Sequence, residues 1–300
     1  LAAYNENPYD LDADKITFAE CYEKWTEEYF KKITPAAIRT VKAAYKYCSS
    51  LYNMRMKDIR VYHLSGCMDD GYIIQDKGKD KGKKRMASAG TKSRMKSMFN
   101  LMFDYAMAHE VVFTNYARNY KIDAEILEEK EKNKRLKIPF SNEEIDILWD
   151  NIEFGFTDMV LIQIYSGWRP QELAILQVAD IDLEKGIMSG GLKSDAGRNR
   201  IVPIHPLIEP LIRKRYDEAM KLHSEYLFND ETSQTGMEMT YDKYRGRFNK
   251  VMERNKMTHT PHECRHTFIT IGKSNKMDQY ILKLIVEHEI DDVTEKFYTH

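Results

Sequence analysis

Hydrophobic positions along this chain recur mostly at helical spacing, and the interruptions fall where caps and breakers stand. Thr17-Phe18-Ala19-Glu20 has the form of a capping box and predicts a helix through Trp25 to about Phe30. Thr34-Pro35 predicts a second helix, with proline at the first helical position where its missing N–H costs nothing. Residues 77–90, rich in Lys and Gly, break the pattern. Thr91 is then expected to open a helix in which Met95, Met98, Phe99, Met102 and Ala106 form one apolar stripe. Those methionines read as packing rather than as a cofactor box. Ser141-Asn142-Glu143-Glu144 is another capping box, and a helix carrying Leu161 and Ile164 follows. Between Asp180 and Ile204 the period drops to two. Ile181 and Leu183 alternate, Glu184-Lys185-Gly186 turns, 187–193 extends, Asp195-Ala196-Gly197 turns, and 201–204 extends again. This predicts a three-stranded antiparallel meander inside a helical domain, with helices resuming from Pro206. The expected fold is mainly α with one small three-stranded antiparallel β-sheet.

With 300 residues, two domains are expected. The charged run from Glu125 to Lys137, closed by Pro139, reads as a linker or a solvated helix end. The expected division is a helical domain over 1–130, a linker over 131–139, and a second domain over 140–300. The apolar run 159–165 is far too short to span a membrane. Leu1 is followed by no signal-peptide pattern, so the sequence is expected to begin inside a longer natural chain. Cys21, Cys48, Cys67 and Cys264 lack close paired spacing, which points to free thiols and a cytoplasmic protein.

Lys plus Arg number 46 and Asp plus Glu 47, so the net charge of −1 does not by itself indicate a polyanion partner. Its distribution does. Between 77 and 96 stand Lys77, Lys79, Lys81, Lys83, Lys84, Arg85, Lys92, Arg94 and Lys96 against Asp80 alone. Such segregation gives one positive surface on a neutral body, although a solvated Lys/Gly loop accounts for it equally well. Lys92, Arg94 and Lys96 would sit in first helical turns, where the dipole disfavours cations and a bound phosphate would relieve the conflict.

Four short motifs carry the chemistry. They are Gly167-Trp168-Arg169-Pro170-Gln171-Glu172-Leu173; Leu192-Lys193-Ser194 with Gly197, Arg200 and Val202-Pro203-Ile204; His262-Glu263-Cys264-Arg265-His266; and His288 followed by Tyr298-Thr299-His300. Each alone carries little information. In this order, over about residues 140–300, they resemble the catalytic domain of tyrosine recombinases, the phage-integrase family. The resemblance implies a two-domain DNA clamp, with residues 1–130 as the core-binding domain and a basic insertion near 77–96. It implies a metal- and ATP-independent enzyme with no cofactor that acts on double-stranded recombination sites as a homotetramer. The implied catalytic set is Arg169, Lys193, His262, Arg265, His288 and Tyr298. Lys83, Lys84, Arg85, Lys92, Arg94 and Lys96 are the expected DNA-binding residues, and integration or excision of a mobile element is the expected task.

The residue types suit that chemistry. A guanidinium offers two N–H groups in a rigid fork to phosphate oxygens, as Arg169 and Arg265 would. Thr260-Pro261-His262-Glu263 is a capping box, so His262 should lie in a first helical turn with Arg265 on the same face. The Tyr298 phenol, which titrates near 10 in the free state, must lose its proton as it attacks. His262 is the proposed base, and Lys193 is placed by resemblance as the acid.

Three departures stand out. Tyr116 replaces a usual proline, Glu287 precedes His288 where relatives usually carry glycine, and the sequence ends two residues after Tyr298. A carboxylate at 287 is expected to crowd an anionic substrate, and the short end to weaken assembly. Two rivals follow. One is a catalytically silent DNA-binding relative, for which Glu287 is the best support. The other is a zinc metalloprotease, because 262–266 also spells His-Glu-x-x-His, with Glu287 or Glu289 as a third ligand. That reading leaves Arg169, Lys193 and Tyr298 without work.

Overall fold

The computed structural model describes residues 15–119, 136–192 and 200–287. The chain divides into two compact units, Leu1–Arg135 and Leu136–His300. The expected linker over 131–139 falls largely outside the described residues, as does the run 125–135.

The first unit is helical: α1 (Phe18–Tyr29), α2 (Pro35–Tyr45), α3 (Val61–Asp70), α4 (Ala89–Ala108) and the short α5 (Tyr116–Asn119). The caps read from sequence close α1 and α2. The Thr17 N–H donates to the Glu20 carboxylate at 2.8 Å, the Thr17 hydroxyl accepts from the Glu20 N–H, and the Thr34 hydroxyl accepts from the Ala37 N–H. Phe18, Trp25, Leu64, Met95, Met98, Phe99, Met102 and Phe103 fill one core, so the methionine stripe is packing.

Two local expectations need correction. Helix α4 begins at Ala89, not Thr91, because the Ser88 hydroxyl accepts from the Thr91 N–H and so takes the N-cap position. The break at 77–90 also contains order that its Lys and Gly content concealed. Strand β1 (Tyr72–Ile74) pairs antiparallel with β2 (Lys84–Met86), with Ile73 opposite Arg85 and Ile74 opposite Lys84.

The second unit contains α6 (Asn142–Asp150), α7 (Thr157–Ser166), α8 (Pro170–Ala174), α9 (Glu209–Lys221), α10 (Tyr241–Arg254), α11 (Pro261–Ser274) and α12 (Gln279–Val286). The meander is present as β3 (Ile181–Asp182), β4 (Ile187–Gly190) and β5 (Arg200–Pro203), in that order and antiparallel, with Met188 opposite both Ile181 and Val202. The tip expected at Asp195-Ala196-Gly197 lies outside the described residues. Every residue of α7 from Thr157 to Ile164 is buried, as befits a helix with apolar positions all round it. It packs most extensively against α11 and also meets α6, α9 and α10. This central helix carries the motif turn at its C-terminal end.

Candidate functional site: an arginine cluster at the end of the core helix

Helix α7 stops at Gly167, which adopts a left-handed conformation at φ +68°. Only glycine suits this turn twice over. A left-handed backbone costs a side chain free energy, and a Cβ here would fall 2.6 Å from the Phe268 ring on α11. The close approach lets the Arg265 Nη1 of α11 donate to the Gly167 carbonyl at 2.9 Å. The next peptide is held from the core. The Gln163 amide nitrogen donates to the Trp168 carbonyl at 3.0 Å, while its oxygen accepts from the buried Tyr244 hydroxyl at 2.6 Å. Pro170 then opens α8 and leaves Arg169 at the N-cap. Thus Arg169 and Arg265, 96 positions apart in the numbering, are tied to one three-residue turn.

A third guanidinium joins them. Arg200, at the start of β5, lies with its Cζ 4.0 Å from the centre of the buried Trp168 ring. Its Nη2 donates to the Glu172 carboxylate at 2.7 Å, and both side chains are 3 % exposed. Arg169 Nη1 donates to the other Glu172 oxygen at 3.0 Å and to the Glu287 carboxylate, and Arg169 Nη2 reaches the Glu287 carbonyl at 3.4 Å. Arg200 Nη1 is 3.5 Å from the same Glu287 oxygen. Glu172 and Glu287 are therefore the counter-charges that let the partly buried Arg169 stand beside the buried Arg200 and Arg265.

The electrostatics record this crowding. Burial pushes the Arg265 guanidinium down to about 10, and the neighbouring Arg169 and Arg200 charges add to the fall. Burial also lowers Arg200, assisted by Arg169 and opposed by Glu172 and Glu287. For Arg169 burial works the same way, but the hydrogen bond to Glu287 and the Glu172 charge outweigh it, so its affinity for a proton rises. Among the described residues three guanidiniums face two carboxylates, and two of the three lose proton affinity, so an arriving anion would supply charge that the cluster lacks.

Of the six expected catalytic residues, the structure describes three. Arg169 and Arg265 come together. His262 lies in the first turn of α11 as expected, but it is exposed whereas Arg265 is buried, so the shared-face expectation needs amending: three residues along a helix turn a side chain far enough to separate solvent from core here. Lys193, His288 and Tyr298 lie outside the described residues. Among the basic residues, Lys83, Lys84 and Arg85 are exposed on or beside the β1–β2 hairpin, and Arg94 is exposed on α4. Lys92 differs: its ammonium pairs with Asp69 at 2.9 Å and is mostly buried, so a carboxylate of the same unit meets the dipole conflict ascribed to it.

The zinc reading finds no support. Glu263, its required base, is buried and accepts from the Thr260 N–H at 2.5 Å, and Glu287 is committed to the arginines. Among the described residues no group of three His, Cys, Asp or Glu side chains could hold a metal ion. All four cysteines are buried free thiols.

Glu172 and Arg200 stand within the motifs, but spacing alone assigns them no role. Glu172 had a readable signal: a carboxylate three residues after Arg169 and two after a helix-opening proline. Arg200 had a weaker one, an arginine entering a strand whose alternate positions are apolar.

Comparison with known proteins places the cluster in a family. Residues 156–300 match the family described as the Phage integrase family. Tyrosine recombinase XerA of Pyrococcus horikoshii is 28% identical over 176 residues, covering 53% of this chain and 58% of that protein. The chain thus matches a little over half the length of this curated relative. Among solved structures, the Tn1549 transposon integrase in complex with circular intermediate DNA aligns with a TM-score of 0.70 at 17% identity, covering 95% of this chain and 96% of its own. A lambda integrase tetramer bound to a Holliday junction aligns with a TM-score of 0.68 at 12% identity, covering 97% and 82%. At these identities the structural likeness establishes the fold. The family match itself covers residues 156–300, the part of the chain that holds the arginine cluster.

Proposed function

We propose that this protein is a site-specific DNA recombinase that cuts and rejoins strands of double-stranded DNA through a 3′-phosphotyrosine intermediate. The observation that carries the reading is the convergence of Arg169 and Arg265 on the turn 167–169 within a domain of this family. Two guanidiniums so placed can grip the non-bridging oxygens of one phosphodiester and offset the charge that builds during displacement. In this reading the Tyr298 oxygen attacks phosphorus and its proton passes to His262. The 5′-oxygen leaves with a proton from Lys193, and His288 donates a further hydrogen bond to the phosphoryl oxygens. The phosphodiester is exchanged for a phosphotyrosyl ester, so a returning 5′-hydroxyl can reverse the step without ATP, and the arginines serve where another enzyme would use a metal. Removing one such donor should cost on the order of 10²–10³ in rate.

The units 1–135 and 136–300 would then act as the core-binding and catalytic halves of a clamp, with Lys83, Lys84, Arg85, Lys92, Arg94 and Lys96 contacting phosphates. The DNA complexes of the Tn1549 integrase and the junction-bound lambda integrase tetramer support duplex DNA as partner and a homotetramer as the working assembly, in integration or excision of a mobile element. A cytoplasmic location accords with such a substrate. Nicked duplexes from a random-sequence pool provide the test, because loss of the cut fragment traps the covalent state. Wild type should yield a protein–DNA adduct with or without chelator, and Tyr298→Phe none. An adduct in that variant would remove the nucleophile assignment. Salt-sensitive DNA binding without any adduct would instead favour a silent relative, a reading to which the carboxylate at 287 lends weight.

A further inference from the structure

The geometry points to Glu287 as a built-in substitute for the substrate phosphate, an anion that holds the arginine cluster ready and must be displaced before a phosphodiester can enter. This rests on the reading of the cluster as a phosphate seat. One carboxylate oxygen of Glu287 is shared by Arg169 and Arg200, much as one phosphoryl oxygen would be, and the backbone carbonyl of the same residue takes a further N–H of Arg169. The Glu287 side chain is only 10 % exposed, so its charge is largely removed from water, and Arg169 and Arg200 supply cations to balance it.

Backbone geometry shows that this placement is held against a local preference. Glu287 closes α12 in a left-handed conformation at φ +49°, where a side chain is disfavoured and glycine is at ease. A glutamate persists in such a position when something outweighs the cost, and the ion pairs with Arg169 and Arg200 do so. Charge balance points the same way. Among the described residues the cluster has three guanidiniums and two carboxylates, one positive charge in excess. If Glu287 withdraws, the three guanidiniums and Glu172 leave two positive charges in excess, which the doubly negative transition state of phosphoryl transfer would match. If Glu287 stays, it opposes every anion that approaches. Glu287 is thus a positioning residue with a gating consequence: it keeps Arg169 and Arg200 in place without DNA and sets a threshold that a weakly held phosphate does not cross.

Inorganic phosphate tests this without DNA and without turnover. The melting temperature of the whole chain is followed against phosphate, with chloride at matched ionic strength to remove simple screening. Wild type should respond weakly. Glu287→Gln keeps the shape and loses the charge, so it should melt lower in phosphate-free buffer, recover as phosphate is added, and reach half-maximal recovery at a concentration at least ~10-fold below wild type. Glu287→Gly accepts the left-handed backbone and should show the same gain in phosphate response if the glutamine variant folds poorly. Identical phosphate responses in wild type and both variants would overturn the proposal, as would stabilisation by chloride equal to that by phosphate. The recombinase reading fails separately: a phosphate gain in the variants with no adduct on nicked duplexes from any of the three proteins would leave the gate standing and remove the reaction. Adducts from all three with unchanged phosphate response would do the reverse.

Discussion

The hairpin β1–β2 and the arginine cluster are both rich in cations, and they hold them in opposite ways. On the hairpin, Lys83 pairs with Asp80 at 2.9 Å while both side chains remain more than half exposed, and the Lys84 ammonium lies 4.2 Å from the centre of the Tyr72 ring. Contacts of this kind contribute roughly 0–1 kcal/mol each and weaken with salt. In the cluster, Arg200 and Glu172 are 3 % exposed, and each guanidinium is fixed by a carboxylate or a carbonyl. The hairpin sets where positive charge is found, whereas the cluster sets where each N–H points. In the proposed function the first would supply affinity without regard to sequence, and the second the alignment of one phosphorus atom.

The contrast is broken most severely at Gly167. Alanine there must adopt φ +68° and place its methyl against the Phe268 ring, so we expect a loss of roughly 2–5 kcal/mol, the sum of a left-handed penalty and an overpacking cost. The denaturant midpoint checks this, and a loss below about 1 kcal/mol would mean that α11 yields easily and the turn is less rigid than described. Next comes Arg200→Ala. It strands a buried Glu172 whose other cation, Arg169, is shared with Glu287, so a loss of about 3 kcal/mol is expected, at the lower end for a broken buried pair. Glu172→Gln combined with Arg200→Ala should recover part of that loss, because the stranded buried carboxylate is then gone. A double variant no more stable than the worse single one would show that the pair is not the source of the loss.

How much of this was legible in the sequence depends on the range of the signal. The caps at Thr17, Thr34 and Ser141 and the three extended runs beginning near Ile181, Ile187 and Ile201 are local, and the structure keeps them. The Gly167-to-Leu173 and His262-to-His266 motifs were legible because the chemistry restricts residue type at fixed spacing. The hairpin was missed because its strands are three residues each and one of them reads Lys-Arg-Met, a composition that resembles a solvated loop. The role of Arg200 was missed because nothing near it in sequence says which carboxylate it will meet; Glu172 lies 28 positions away and becomes its partner only through the sheet. Glu287 was noticed as an intruder, yet its attachment to Arg169 across 118 positions is a fact of tertiary structure alone.

The smallest effects are expected on the hairpin side, and they separate charge that is available from charge already engaged. Lys84→Ala and Arg85→Ala remove exposed side chains, so stability should stay within about 0.5 kcal/mol of wild type. If these residues contact phosphates, each removal should lower the slope of log affinity for duplex DNA against log salt by about one, without changing sequence preference. Lys92 and Arg94 refine the point, since they stand two residues apart near the start of the same helix. Arg94 is exposed, but Lys92 is paired to Asp69 and largely buried. Counterions are released only where a cation meets a phosphate, and Lys92 would first have to give up its carboxylate. Arg94→Ala should therefore reduce the salt slope more than Lys92→Ala. Equal reductions would mean that the Asp69 pair opens on DNA, and the distinction between the two kinds of cation would then rest on the arginine cluster alone.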